Sequence, residues 1–210
     1  MPYSRGTSNN IIVGAAALFV ADTTLTPGTL EAFDASESFK DTLADDAAYT
    51  NVGYTMNGLE LQFQPDFGEV QVDQILDVAK LYKQGMQVNL ATAFAEATLE
   101  NLLLALAFSD AQLTGNKAAS TGQTLNLSAG ELGECPVERG IVAVGPGTGD
   151  CDNSDSVERV YTAYRALSIE NVTVSAKRDE ASMFDVSFRL LPEDASGSYG
   201  KIVDRTFGQS

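Results

Sequence analysis

The stretch Gly85–Phe108, GMQVNLATAFAEATLENLLLALAF, changes its period halfway along, and that change decides the fold class. Val88, Leu90, Thr92 and Phe94 fall on one face, with Gln87, Asn89, Ala91 and Ala93 on the other, as in a half-buried strand. Leu99, Leu102, Leu103 and Leu106 then recur at helical spacing and predict a helix with one packed stripe. Thr98 offers an N-cap oxygen, and Glu100 suits the positive end of the helix dipole. The segment predicts a strand, a corner and a covering helix.

Outward from it, strand signals dominate. Upstream, Asn57-Gly58 is the preferred type I′ pair, because both positions need positive φ, and it predicts a hairpin. Val52, Tyr54 and Met56 flank it on one side, with Leu59, Leu61 and Phe63 on the other, while Thr55, Glu60 and Gln62 intervene. Pro65 ends that run, and Val70 and Val72 start another. Ile75–Tyr82 fits helix and strand alike, and Glu31–Ala48 receives no firm assignment. Ile11–Val20 reads as a buried strand, since the apolar run Ile11–Ala21 is too short to span a bilayer as a helix.

Downstream, residues 109–158 form a glycine-rich, elaborated loop region with short strands only at Leu125–Leu127 and Gly140–Val144. Strands return at Arg159–Arg165, Ser168–Lys177, Met183–Leu191 and Lys201–Phe207, with a charged turn at 177–180. The expectation is a single domain over residues 1–210, mostly β, with one flanking α-helix.

The composition narrows the function. The chain has 210 residues, 44% of them hydrophobic and 20% charged, which suits a folded core. Twenty-nine acids against thirteen bases leave a net charge of −16. Such a chain repels phosphate and does not bind nucleic acid by charge neutralisation. There is no histidine, which removes Ser-His-Asp and Cys-His catalysis and histidine metal sites.

Adjacent acids such as Asp45-Asp46, Asp179-Glu180 and Glu193-Asp194 read as solvated loop charge and not as catalytic pairs. Asp150–Asp155 superficially resembles a calcium loop. However, Asp155 stands where glycine belongs, and Tyr161 where a bidentate Glu belongs. Gly145–Gly149 lacks the lysine of a phosphate loop. The spacing of Cys135 and Cys151 permits a disulfide, and reduced thiols fit the sequence equally well. No enzyme, cofactor or metal site is expected.

Several segments together resemble the major tail tube proteins of tailed bacteriophages. They are Asn51-Val52-Gly53-Tyr54 leading into Asn57-Gly58-Leu59-Glu60-Leu61, then Val70-Gln71-Val72-Asp73, then Ala95–Leu102 with Ala105-Leu106. Phe184–Leu190 followed by Pro192-Glu193-Asp194 completes the set, which covers about half the chain in the family's order. Residues 115–149 have no assigned counterpart.

The resemblance implies a β-sandwich or barrel with a flanking helix, in protomers whose strands join into a ring-wide β-barrel. Hexameric rings would stack into a tube within the virion, assembled in the bacterial host cytoplasm. DNA would pass through without specific binding. Other partners would be sheath, tape measure, baseplate and tail terminator proteins, with no membrane.

Thr55, Glu60, Gln62, Gln71, Asp73, Gln87 and Asn89 become candidate lumen residues, and an acidic lumen would keep DNA from adhering. The simpler alternative has them facing outside solvent. Leu99, Leu102, Leu103 and Leu106 are the candidate helix-packing residues. Two further readings are a tube protein of another contractile injection device and an acidic β-domain that binds a ligand or cation through residues 145–155.

Overall fold

A computed structural model of the chain describes residues 10–28, 36–75, 77–118, 122–133, 135–148, 156–175, 178–179 and 181–208. The fold is mostly β, with two short helices. The strands are β1 (Ala17–Ala21), β2 (Tyr49–Asn51), β3 (Thr55–Gln71), β4 (Val78–Phe94), β5 (Leu113–Gly115), β6 (Gln123–Leu125), β7 (Arg139–Pro146), β8 (Ser156–Ser168), β9 (Phe184–Leu191) and β10 (Gly200–Phe207). The helices are α1 (Phe39–Asp45) and α2 (Leu99–Ala105).

Eight strands form one antiparallel sheet in the order β2-β1-β7-β8-β9-β4-β3, with β10 attached separately to β8. β9 meets β8 near Ser168 and Arg165, and β10 follows along the same strand from Ala163 to Ser156. Residues 192–199 bulge out between them. The sheet does not close into a barrel; β5 and β6 form a separate pair.

One face of the sheet is apolar throughout. Leu18 and Val20 of β1, Ile141 and Ala143 of β7, Ala163 of β8, the alternate residues Phe184, Val186, Phe188 and Leu190 of β9, and Val88, Leu90 and Phe94 of β4 share one core with α2. The opposite face is divided. Over β1, β7 and β8 it buries Phe19, Val142, Val144, Val160 and Tyr164 beneath Phe39 and Leu43 of α1. Over β9, β4 and β3 it is polar. That division explains why β7 reads as a continuous apolar run while β9 alternates.

Three expectations change. The Asn57-Gly58 pair has the positive φ values expected, 66° and 73°, yet the chain does not reverse there. The pair lies inside β3, where the register jumps from Met56↔Ala93 to Glu60↔Ala91, and Thr92 Oγ1 donates to Gly58 O at 2.8 Å. The same dihedrals that close a hairpin here make a bulge, because the chain on both sides keeps pairing with β4. The true reversal follows Gln71, so the ambiguous Ile75–Tyr82 segment becomes a turn and the start of β4.

Secondly, a helix forms within the stretch left unassigned. Ser38 Oγ accepts from Lys40 N–H, and α1 buries Phe39 and Leu43. Thirdly, the strand expected at Ser168–Lys177 ends at Ser168, while that expected at Ile11–Val20 begins only at Ala17.

The helix at Leu99 forms as expected, with the Thr98 side chain accepting from Asn101 N–H. Its buried face is shifted, however. Leu103 is buried with Leu104, Ala105 and Asn101, whereas Leu99, Leu102 and Leu106 are half-buried. The helix is only two turns long, and Asn101 does more than pack. Its amide donates to Val52 O at 2.8 Å, in the link between β2 and β3, and to Glu96 O at 2.9 Å, in the link between β4 and α2.

Candidate functional site

The β3–β4 hairpin is the least self-contained part of the fold. β4 pairs with β9 only from Val88 to Phe94, so the hairpin beyond that point has no third strand among the described residues. At about 3.3 Å per residue, Val78–Gln87 projects roughly 30 Å past the sheet. β3 is the end of the sheet, so its outer edge from Thr55 to Gln71 has no strand partner among the described residues. Phe63, Phe67, Val70, Val72, Ile75, Leu81 and Tyr82 are exposed on this hairpin. Gly68 accommodates the projecting hairpin's own packing, since a Cβ there would lie 2.5 Å from the Tyr82 ring.

Register assigns the candidate lumen residues to faces. Opposed residues of antiparallel strands share a face. Gln62, Asn89 and Arg189 form one row across β3, β4 and β9, and Gln64 opposes Gln87 beside it. Glu60 lies on the same face, opposite Ala91 and Ser187. Four candidates therefore belong together: Glu60, Gln62, Gln87 and Asn89.

The other three do not join them. Thr55 opposes Phe94 on the apolar face, being an odd number of residues from Glu60 across an irregularity that leaves the alternation in step. Gln71, an odd number of residues from Gln62 along β3, has the opposite parity. Asp73 lies past the strand, in the turn. Gln64, Asp185 and Arg189 complete the polar face and were visible only as the wet halves of alternating strands. With Glu60 and Asp185 against Arg189, this face carries little of the chain's net charge of −16.

The titratable groups described elsewhere hold the fold together. Glu158, 4% exposed, accepts from Ser38 Oγ and Phe39 N–H at 2.8 Å each and from Arg205 Nε at 3.0 Å. One carboxylate thus joins β8, the start of α1 and β10. Buried Arg139 pairs with Asp110 at 2.6 Å and also donates to Asp22 O and Phe108 O.

On the surface, Arg159 grips Asp204 across the β8–β10 pair, and that guanidinium holds the Asp204 carboxyl below its ordinary value. Glu193 is lowered similarly by the N–H groups of Ala195 and Ser196 in the turn before β10. The Gln123 amide, at 2.7 Å, does the same to Glu100. Each shift has a fold-holding partner, which is the structural cause of most perturbed surface carboxylates.

No protein-family model matches the chain, and no curated protein matches it.

Among the described residues no group of three or more Cys, Asp or Glu is placed to hold a metal ion, and no helix is long and apolar enough to cross a membrane. Cys135 is exposed and free among the described residues. Cys151 lies outside the described residues, as does most of the 145–155 loop proposed for ligand or cation binding. What the described geometry offers is a surface for assembly: a long open edge, an exposed apolar tip and a polar face beside them.

Proposed function

We propose that this chain is a self-assembling structural protein of the tail-tube type, whose copies build rings stacked around a channel. The projecting hairpin carries this reading. A monomer gains nothing from an unpaired edge, which invites uncontrolled aggregation unless another strand covers it. Joining such edges between copies removes them, as closure of a shared barrel does.

The polar face of β3, β4 and β9 suits a water-filled channel, with Glu60, Gln62, Gln87 and Asn89 toward the lumen and the apolar face inward on the protomer core. Amides there make a surface that DNA neither grips nor is strongly repelled by, and the overall negative charge disfavours adhesion. In this reading six copies close each ring, the tube belongs to a phage tail assembled in the host cytoplasm, and sheath, tape measure, baseplate and terminator proteins are its neighbours. A tube of another contractile injection device has the same requirements.

Negative-stain microscopy with sedimentation velocity tests the proposal. Hollow rings or tubes of uniform width are the expected result. A dispersed monomer at the highest attainable concentration would refute it.

A further inference from the structure

Where β10 and the projecting hairpin diverge, a groove of about 640 Å³ opens on the apolar side of the sheet. Leu61, Phe63, Val88, Leu90, Tyr161 and Ile202 form much of its wall. Its charge is unusual for this chain. Lys83 and Lys201 line it and no Asp or Glu does, although the chain has more than twice as many acids as bases. The Lys83 ammonium finds only the Met86 sulfur, at 3.9 Å, among the described residues.

The opposite chemistry stands at the hairpin tip. Val72 and Ile75 are 39% and 53% exposed there, and Asp73 and Asp77 flank Ile75. No base intervenes between Gln71 and Val78. An apolar knob between two carboxylates complements a largely apolar groove whose charged lining residues are two lysines. The tip cannot enter its own groove, because paired strands carry it away from Lys83 in a fixed direction.

We infer that the groove between β10 and β4 receives the hairpin tip of a second copy, Ile75 entering the apolar cleft while Asp73 and Asp77 face Lys83 and Lys201. This deepens the assembly reading and rests on it. The contact is heterologous, with tip and groove on different surfaces, so each copy both donates and accepts. Where two copies do not exchange tips reciprocally, such a contact closes a ring or propagates a tube. Charge complementarity also fixes which way round the copies meet.

Charge exchange tests it. One variant carries D73K with D77K, the other K83E with K201E. Circular dichroism and thermal unfolding establish that both fold. Each alone sets like charges against each other and loses the largest assemblies that the wild type forms in sedimentation velocity. A 1:1 mixture restores them, because every tip then meets a groove of opposite sign.

If either folded variant assembles alone as the wild type does, or mixing restores nothing, the inference is overturned while wild-type tubes leave the assembly reading standing. If the wild type itself remains monomeric, both fall together.

Discussion

Asn101 offers the sharpest test of how the corner where the β2–β3 link meets the β4–α2 link is held. It is 3% exposed, and its amide nitrogen serves two backbone carbonyls, Val52 O and Glu96 O, at 2.8 and 2.9 Å. Asn101→Ala removes both donors and leaves two carbonyls without them in a region too tightly packed to guarantee water.

Each net hydrogen bond contributes about 1 kcal/mol, and each orphaned buried acceptor costs about 1–3 kcal/mol. Some relaxation of the exposed Gly53–Tyr54 link recovers part of this. The expected loss is about 2–4 kcal/mol, a large share of the 5–15 kcal/mol typical of a domain. Alanine is the better helix former, so any offset from propensity is under about 1 kcal/mol in the opposite direction.

Urea unfolding followed by far-UV circular dichroism reads this as a lower midpoint at unchanged slope. Gln123→Ala, which removes a half-buried amide contact to Glu100, serves as the control and should cost under about 1 kcal/mol. If Asn101→Ala were no more destabilised than that control, the carbonyls would have another source of satisfaction and the corner argument would fail.

Other expectations concern β10 and its anchors. Glu158→Ala removes the buried carboxylate that accepts from Arg205 and from the start of α1, and should cost about 3–5 kcal/mol by denaturant titration. Arg159→Ala, at the half-exposed pair with Asp204, should cost under about 1 kcal/mol. Gly200→Ala places a Cβ 1.9 Å from Thr162 O, so β10 should separate from β8 and its amides lose hydrogen-exchange protection, while β9 amides keep theirs.

Because the Asp204, Glu193 and Glu100 carboxyls are held below their ordinary values, their stabilisation is complete above about pH 4.5 and is lost as pH falls through the lowered values. A thermal midpoint that stayed flat from pH 5 to 3 would contradict this.

The sequence was most legible where one signal had one physical meaning. Phe184, Val186, Phe188 and Leu190 alternate, and all four are buried; Thr98 caps α2 as its side chain allows. It misled where local chemistry is shared by two structures. Asn57-Gly58 supplies two positive φ values, and whether the chain reverses there depends on β4, thirty residues away in sequence, continuing to pair past the site.

The four-leucine stripe of α2 predicted the helix but not its buried face, since propensity and spacing do not show that two carbonyls await Asn101. For the polar face, alternation could pair Gln62 with Glu60, and Gln87 with Asn89. Register was required to bring those pairs together with Arg189, and the unbroken run of β3 from Thr55 to Gln71 to separate those two residues from them.

The junction at Glu158 also sets an order of events for a chain leaving the ribosome. β8 can settle against β7 as soon as both have been made, but it carries into the sheet a carboxylate whose guanidinium counterpart arrives only with β10, the last strand. At roughly 5–20 residues per second the wait is a few seconds. Until then Glu158 can have the Ser38 hydroxyl and the Phe39 N–H but not its guanidinium. The emergence of β10, which carries Arg205, is what completes the junction between β8, α1 and β10.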